Sequence, residues 1–363
     1  MTDYNLINMT QIAQKSRLST LKEILKDPER KSISKMIFEL LYLTFTYREL
    51  PVHYFSRYLF KKNIVNIRDY VPNKMASGIA PFFNDGRVKE VIDNKLYFDL
   101  FYRHFGISLP EILMYNHKHK FVTGDTLHDV NDLEAFRALL EKLYDQNIST
   151  GSLFIKKTYS SASGRNTYKL TWDQFNKDSE MIKEIYDVVK GSEYLFQKTV
   201  IQHPELDKLN PACLNTIRID SFMNSDGAID IISAFIKLSI GSHVDNTVFG
   251  GCGVGIDLQT GKMKKYGWSK LRVAGVKVLE EHPVTKIRFE NLEIPFFREV
   301  KELVIKTAGL MPGLRLIGWD VGIGESGPVL IEGNSDYGIN SNDMMYGGYM
   351  ANPVFRKILS EMN

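Results

Sequence analysis

Through the first third of the chain the apolar residues come at intervals of three and four. Between about Asn8 and Lys62, positions such as Ile33, Met36, Ile37, Leu40 and Leu41 have the spacing of an amphipathic helix. Pro51 suits the first turn of a further helix, whose buried stripe is then Tyr54, Phe55, Tyr58 and Leu59. A helix is predicted over Asn94 to Phe105, with Gly106 as its left-handed cap and Pro110 preventing continuation, and another over Asn131 to Gln146. After residue 150 the pattern turns strand-rich. Strands are predicted at Leu153 to Lys157, Tyr168 to Thr171, Tyr194 to Val200, Thr216 to Asn224, Ile229 to Ser239, Gly253 to Asp257, Leu316 to Ile323 and Val329 to Glu332. Helices punctuate them at Asp178 to Val189, Pro295 to Ala308 and Pro353 to Glu361. The turns Ser225-Asp226-Gly227-Ala228 and Asp257 to Gly261 join neighbouring strands as hairpins, so the sheets are antiparallel and the fold class is α+β. No internal repeat, low-complexity tract or long linker interrupts the chain.

Composition narrows the classes. At 363 residues, two or three packed subdomains are expected. The balance of 46 basic and 43 acidic residues is too even for a nucleic-acid footprint, so no nucleic acid is expected as partner. Lysines collect between Lys15 and Lys35 and at Lys61-Lys62; interspersed acids make this a solvated helix face, with contact to a membrane surface left open. Cys213 and Cys252 have no metal-ligand spacing and build no disulfide framework, which fits a reducing compartment. The first fifteen residues lack a secretory pattern, and the most apolar stretch, Met36 to Thr46, is too short to span a bilayer. A cytoplasmic location is expected.

The segment Gly318 to Tyr337 carries the clearest chemistry. Asp320 falls on one strand and Glu332 with Asn334 on the next, across the turn Gly324 to Gly327. Alternation sends Glu332 and Asn334 to one face, and hairpin pairing can bring Asp320 beside them. An oxygen-only donor set of that density suits Mg²⁺; a solvated hairpin with scattered acids is the plainer alternative. Lys156-Lys157 ends a strand before the small-residue loop Ser160 to Asn166, which reads either as a phosphate cradle or as a polar hairpin loop. Arg218, at a strand start near Asn215, and Lys237 on the partner strand lie in an otherwise apolar sheet. A guanidinium there requires an anion, either a structural carboxylate or a substrate phosphate. The run His243 to Gly253 has the glycine density of a mobile binding loop or of simple turns. His203 and His282 each precede a proline and are expected to fix turns; Trp319 is expected in the core, and Tyr337, Asn340 and Asn342 fit an acceptor pocket or a polar surface loop equally.

Taken together these residues resemble the ATP-grasp superfamily, most closely its sugar-transfer-associated branch, over about Asp93 to Pro353. Leu209-Asn210-Pro211 through Asn215-Thr216-Ile217-Arg218, Val244-Asp245-Asn246 with Gly250-Gly251, Asp257 to Gly261, His282-Pro283, Gly318-Trp319-Asp320 and Glu332-Gly333-Asn334 stand in the family's order. The resemblance implies two α+β subdomains gripping ATP between antiparallel sheets. It divides the chain into a helical region at 1–84, a linker helix and N-terminal lobe at 85–195, and a C-terminal lobe with the metal site at 196–363. It implies ATP and Mg²⁺ as cofactors, with Lys95 and Lys156 as the nucleotide lysines. Ser161, Ser163 and Gly164 fall in the covering loop, and Gln197, Lys198 and Val200 in the hinge that meets adenine. Asp320, Glu332 and Asn334 match the metal ligands, and Arg218 with Lys237 the charge-stabilising pair. Gln197 stands where an acidic residue is common, and the loop at Ser160 has fewer glycines than usual.

The activity this implies is a carboxylate-amine ligase working through an acylphosphate, on a sugar acid or amino-acid substrate in surface-polysaccharide synthesis. Superfamily ligases often carry an arginine two residues before the metal aspartate, where this chain has Gly318; Arg315 or Arg218 would have to substitute. A phosphotransferase acting on a sugar or glycan precursor is the second reading, and a non-catalytic nucleotide-binding module the third. The expected partner is a small-molecule or glycan-precursor substrate, with oligomeric state open.

Overall fold

A computed structural model of the chain describes residues 15–147, 151–159, 167–239, 251–336 and 338–362. Thirteen strands form two sheets among these residues, and every ladder pairing between them is antiparallel. The first sheet contains β1 (Ile112–His117), β2 (Lys120–Thr123), β3 (Thr126–Asp129), β4 (Ser152–Lys157), β5 (Tyr168–Thr171) and β6 (Glu193–Lys198), in the order β3-β2-β1-β6-β4-β5. The second contains β7 (Thr216–Met223), β8 (Ile229–Leu238), β9 (Cys252–Ile256), β10 (Met263–Ser269), β11 (Val278–Leu279), β12 (Leu316–Gly324) and β13 (Gly327–Asn334), in the order β11-β10-β9-β8-β7-β12-β13. The α+β class expected from the hairpin signals is the class observed.

Each sheet has one apolar face closed by helices. On the first, Leu153, Ile155, Leu170 and Phe196 pack with Phe136, Leu140, Ile182 and Ile185 of the helices Leu133–Asn147 and Ser179–Val189. On the second, Ile217, Ile219, Ile236, Trp319 and Val321 meet Val300 and Val304 of the helix Phe297–Gly309 and Phe98 and Tyr102 of the helix Lys95–His104. Trp319 is fully buried there, its indole N–H donating to Ser221 Oγ at 2.8 Å. Period-two alternation therefore turns Asp320 to the opposite face.

Capping residues set the ends of the elements as the sequence suggests. Asn94 accepts from the backbone N–H groups of Leu96 and Tyr97 at the start of the helix Lys95–His104, and Gly106 closes it with φ 65°. His203 caps the helix Pro204–Leu209 through its ring, and His282 is buried between Ser239 O and the Thr285 N–H; both are turn-fixing residues. Several elements were not legible: β1 to β3, β10, β11 and the helices Asn73–Phe83, Trp172–Lys177 and Ile339–Tyr346.

The N-terminal helices pack against the edge of the second sheet and the helix Ile339–Tyr346, sharing a core with Phe235, Met344 and Met345. Tyr54, Tyr58 and Leu59 are buried as expected. The expectation for the preceding helices is corrected. In α2 (Ile33–Tyr47), which follows α1 (Arg17–Lys26), the inward positions are Met36, Glu39 and Leu43, while Ile33, Ile37 and Leu41 face outward. The reason is a buried ion pair. Lys31 Nζ donates to both Glu39 oxygens at 3.0 and 2.9 Å and to Leu59 O at 2.7 Å, and the Tyr54 hydroxyl donates to Glu39 at 2.6 Å. Turning Glu39 inward rotates the aliphatic stripe away from the core.

Removing one partner strands the other in a dry environment. Lys31→Met is expected to destabilise the protein by about 3–5 kcal/mol, read as a lowered urea midpoint, because Glu39 is left uncompensated; a midpoint equal to that of the unaltered protein would show that the pair contributes nothing.

Candidate functional site at the junction of the two sheets

Four strands of the second sheet bring charged side chains into one row. Asp320 on β12 is the direct cross-strand partner of Glu332 on β13 and of Arg218 on β7. Lys237 lies on β8. Arg218 Nε and Nη2 donate to the two Asp320 oxygens at 2.6 and 3.0 Å, and Lys237 Nζ donates to Asp320 Oδ2 at 2.7 Å. The anion that the buried guanidinium requires is thus a structural carboxylate. Burial alone would raise the Asp320 pKa, but Arg218 and Lys237 outweigh it and hold the carboxyl well below the usual carboxylate range. Burial likewise opposes the charge on Arg218, and Asp320 outweighs it, so the net shift of Arg218 is upward.

Two local features shape this row. Between the pairs Asp320–Glu332 and Val321–Leu330, β13 carries one extra residue, Ile331, and that bulged residue lines the neighbouring cleft. Gly333, between Glu332 and Asn334, faces the opposite side: a Cβ there would lie about 3.0–3.2 Å from Ile92, Trp319 and Phe98. The missing side chain lets the helix Lys95–His104 lie against β13. This brings Lys95 Nζ to 3.3 Å from Glu332 Oε2, while the Lys95 backbone N–H donates to Thr158 O beyond the end of β4 at 2.8 Å.

The facing sheet contributes Lys156 from β4. It is buried, and no hydrogen bond or ion pair joins its ammonium to another described residue. Burial, with Lys95 adding to it, pushes its pKa down to about 8, against the pull of Glu332, Asp99 and Asp320. Beside it opens a cleft of about 620 Å³, lined from one sheet by Phe154, Gln197, Lys198 and Val200 and from the other by Leu214 and Ile331. The Val200 backbone N–H and the Gln197 side chain make no hydrogen bond to another described residue. An ammonium and a backbone donor without partners among the described residues, in a slot between two sheets, fit a flat heteroaromatic group carrying phosphates.

The structure therefore brings together Lys95, Lys156, Arg218, Lys237, Asp320 and Glu332, and sets Gln197, Lys198 and Val200 along the adjoining cleft. Asn334 is two positions beyond Glu332 on β13, its amide donating to Gly318 O at 3.3 Å. No three residues among His, Cys, Asp and Glu converge on one point among the described residues. The residues that could hold a divalent ion are Asp320, whose oxygens already accept from Arg218 and Lys237, Glu332, which pairs with Lys95, and Asn334 through its amide oxygen. Such a set fits Mg²⁺, which takes one or two carboxylates and completes its shell with phosphate oxygens and water. Ser161, Ser163 and Gly164, with the rest of the loop 160–166, lie outside the described residues, as do His243 and Tyr337.

Other expectations move. Arg315 is remote: it donates to Met223 O, pairs with Glu361 and stacks on Phe83 and Phe222, so it does not stand in for a cation at Gly318. Asn340 is bonded to Arg57, and buried Asn342 to Asp220, so both serve a polar network below the sheet. Of the glycine-rich run, Gly253 lies in β9, where a Cβ would sit 2.6 Å from Met345 Cε. That glycine admits the helix Ile339–Tyr346; residues 240–250 lie outside the described residues.

One cation was missed. Lys270, which precedes the short helix Leu271–Ala274, has its pKa lowered by burial and further by Lys237 and Arg218, with no carboxylate opposing the shift. Its carbonyl accepts from the Val273 and Ala274 N–H groups, while its ammonium makes no hydrogen bond or ion pair to another described residue. In the sequence, Ser269-Lys270-Leu271 follows a strand that was not recognised, and a lone lysine there gives no signal.

A family model described as sugar-transfer associated ATP-grasp matches residues 74–356. The chain belongs to that family. Comparison with curated proteins finds no match. Similar solved structures include D-alanine-D-alanine ligase from Helicobacter pylori, at 12% identity over 79% of this chain and 68% of that one, with a TM-score of 0.44. N5-carboxyaminoimidazole ribonucleotide synthetase from Thermotoga maritima is similar at 11% identity over 74% of this chain and 49% of that one, with a TM-score of 0.37. The chain spans about half the length of the synthetases it matches. At TM-scores below 0.5 these likenesses carry no argument; membership rests on the family match.

If Lys156 meets phosphate as an ammonium, its affinity for nucleotide has a pH signature. A lysine titrating near 8 loses its charge as pH rises, so ATP affinity is expected to fall above about pH 8. Lys156→Arg, charged throughout, is expected to bind with a flat profile over pH 7–9; equal slopes in calorimetric titrations would detach Lys156 from the phosphates.

Proposed function

We propose that the protein is a Mg-ATP-dependent ligase that joins a carboxylate to an amine through an acylphosphate. The observation that carries this reading is Lys156, buried in the lining of a cleft, with no partner for its ammonium among the described residues and with Glu332 and Asp320 near enough to act on its charge. A pure scaffold has no reason to bury a lysine without an anion, which costs free energy unless a ligand supplies the partner.

In this reading the cleft at Gln197, Lys198 and Val200 takes adenine, and Lys95 and Lys156 hold the phosphates. Ser161, Ser163 and Gly164 cover them. Asp320, Glu332 and Asn334 would hold Mg²⁺, which when bound neutralises charge on the transferring phosphoryl group. Phosphoryl transfer depends mainly on position and charge, and Arg218 and Lys237 are already fixed by Asp320 at the right place to stabilise it. The arginine that superfamily ligases carry before the metal aspartate is absent at Gly318. Lys270, near enough to Arg218 and Lys237 to feel their charge and with no carboxylate partner among the described residues, supplies the missing cation and receives the acceptor's carboxylate. The acceptor is a sugar acid or amino acid used in cell-surface polysaccharide synthesis, the family's description supplying the sugar link, and the setting is cytoplasmic. Among the described residues no helix is long and apolar enough to cross a membrane.

Lys270, without a carboxylate partner among the described residues, favours the ligase over a phosphotransferase, because a neutral hydroxyl acceptor has no need of a third cation. Incubation with Mg-ATP, sugar acids and pooled amino acids, followed by mass spectrometry, is expected to give ADP, phosphate and an amide. A phosphorylated acceptor formed without amine would instead establish the phosphotransferase. Glu332→Gln is expected to lower turnover by about 10²-fold or more with the fold intact. Lys270→Ala is expected to raise the KM for the carboxylate about tenfold while leaving ATP affinity unchanged; an unaltered KM removes Lys270 from the acceptor site.

A further inference from the structure

The outward face of α2 carries a run of exposed apolar side chains. Ile33, Ile37, Phe38, Leu41 and Phe45 are 52, 52, 70, 53 and 79% exposed. The series 33, 37, 41 and 45 advances by four residues, so these side chains form one stripe about 18 Å long, at 1.5 Å per residue. The two charged residues of the helix are Lys35 and Glu39, and Glu39 is turned inward to Lys31. This inverts the pattern of a solvated surface helix, whose apolar stripe faces the core. In α1, Leu18, Leu21 and Leu25 are likewise exposed at 73, 42 and 43%. A contiguous apolar stripe of this kind in a folded protein marks an interaction surface.

Charge identifies what covers it. Residues 15–62 contain 11 Lys and Arg against 5 Asp and Glu, a net of +6, in a chain whose overall charge is +3; the remainder is net negative. The acids of this segment are largely consumed internally: Glu39 by Lys31, Asp27 by Lys61 and Glu23 by Lys15. Arg17, Lys22, Lys26, Lys35, Arg48 and Lys62 are exposed, and none has a carboxylate partner among the described residues. Aromatic and aliphatic side chains on an exposed helix, flanked by unpaired cations, are what an anionic lipid surface accepts: the apolar face enters the boundary between headgroups and acyl chains, and the cations meet phosphate. A second copy of the chain would bring the same cations against one another.

We propose that the α2 face is a docking surface for an anionic membrane, holding the enzyme on a leaflet without spanning it. The proposal is independent of which reaction the catalytic row performs. Flotation of the whole protein with vesicles tests it. With equal parts of phosphatidylglycerol and phosphatidylcholine the protein is expected to float, and with phosphatidylcholine alone or in high salt the bound fraction should fall at least tenfold. The variant I37E/L41E/F45E alters exposed side chains only, so its circular dichroism and Mg-ATP affinity should match the parent while its bound fraction falls at least tenfold. K35E/R48E should lose binding to the anionic vesicles alone. A parent protein that stays with the sediment on both vesicle types overturns the proposal, as does a triple variant that floats like the parent. If light scattering shows a dimer that the triple variant dissolves, the face belongs to a second copy and the membrane reading falls.

Discussion

The second sheet is organised around one buried carboxylate. Asp320 accepts from Arg218 on the adjacent strand and from Lys237 one strand further on, so three strands are tied together by charge on the face opposite Trp319. Buried ion pairs of this kind add little stability over a well-packed apolar alternative, because desolvation offsets most of the attraction. Their effect is to fix position. Arg218 and Lys237 are held by Asp320, and Glu332 is kept opposite Asp320 by backbone pairing and by Lys95 from the helix packed on β13. A row so constrained is preorganised: its charges are placed before any ligand arrives, which is the condition under which electrostatic stabilisation of a transferring group is most effective.

The same constraint runs through the sheet to the N-terminal helices. Asp220, two residues beyond Arg218, is fully buried, and its Oδ2 accepts from Asn342, from the Tyr349 hydroxyl at 2.7 Å and from Ser233 at 3.4 Å. Burial raises its pKa to about 7, against the pull of those donors and of Arg218. Asp343, in the same helix as Asn342, pairs with buried Arg57, which also donates to Val71 O and Asn340. The polar residues after β13 thus form a hydrogen-bonded network from the helical region to Asp220, beside the charged row. Gly253 and Gly255 complete that arrangement, since a side chain at either would collide with Met345 and hold the helix Ile339–Tyr346 off the sheet.

Legibility in the sequence followed how local each feature was. Strands with strong alternation and clear turns, such as β7, β8, β12 and β13, were readable to within a residue or three, and the convergence of Asp320 with Glu332 followed from alternation plus one hairpin. The meander β1 to β3 was not, because its strands are short and only Leu113, Met114, Asn116 and Phe121 of the fourteen strand residues are buried, which leaves little periodic signal. Lys270 was invisible for a different reason: it reaches Arg218 and Lys237 only through the packing of β10 on β9, a nonlocal contact with no sequence spacing to announce it. In α2 the spacing was right and the face was wrong. Apolar periodicity gives a helix and a stripe, and it assumes that the stripe points inward; one buried Lys–Glu pair reversed it.

That reversal bears on how the two ends of the molecule divide their work. The charged row demands rigidity and exclusion of water, and it obtains both from a sheet face closed by helices and a buried polar network. The face of α2 demands the opposite, an apolar surface left open. The chain reconciles the two by spending its N-terminal acids inward, where Glu39 and Asp27 neutralise Lys31 and Lys61, so that the cations left outside are unpaired. Charge distribution, more than hydrophobicity, therefore distinguishes the two surfaces: buried and fixed around Asp320 at the charged row, exposed along the N-terminal helices.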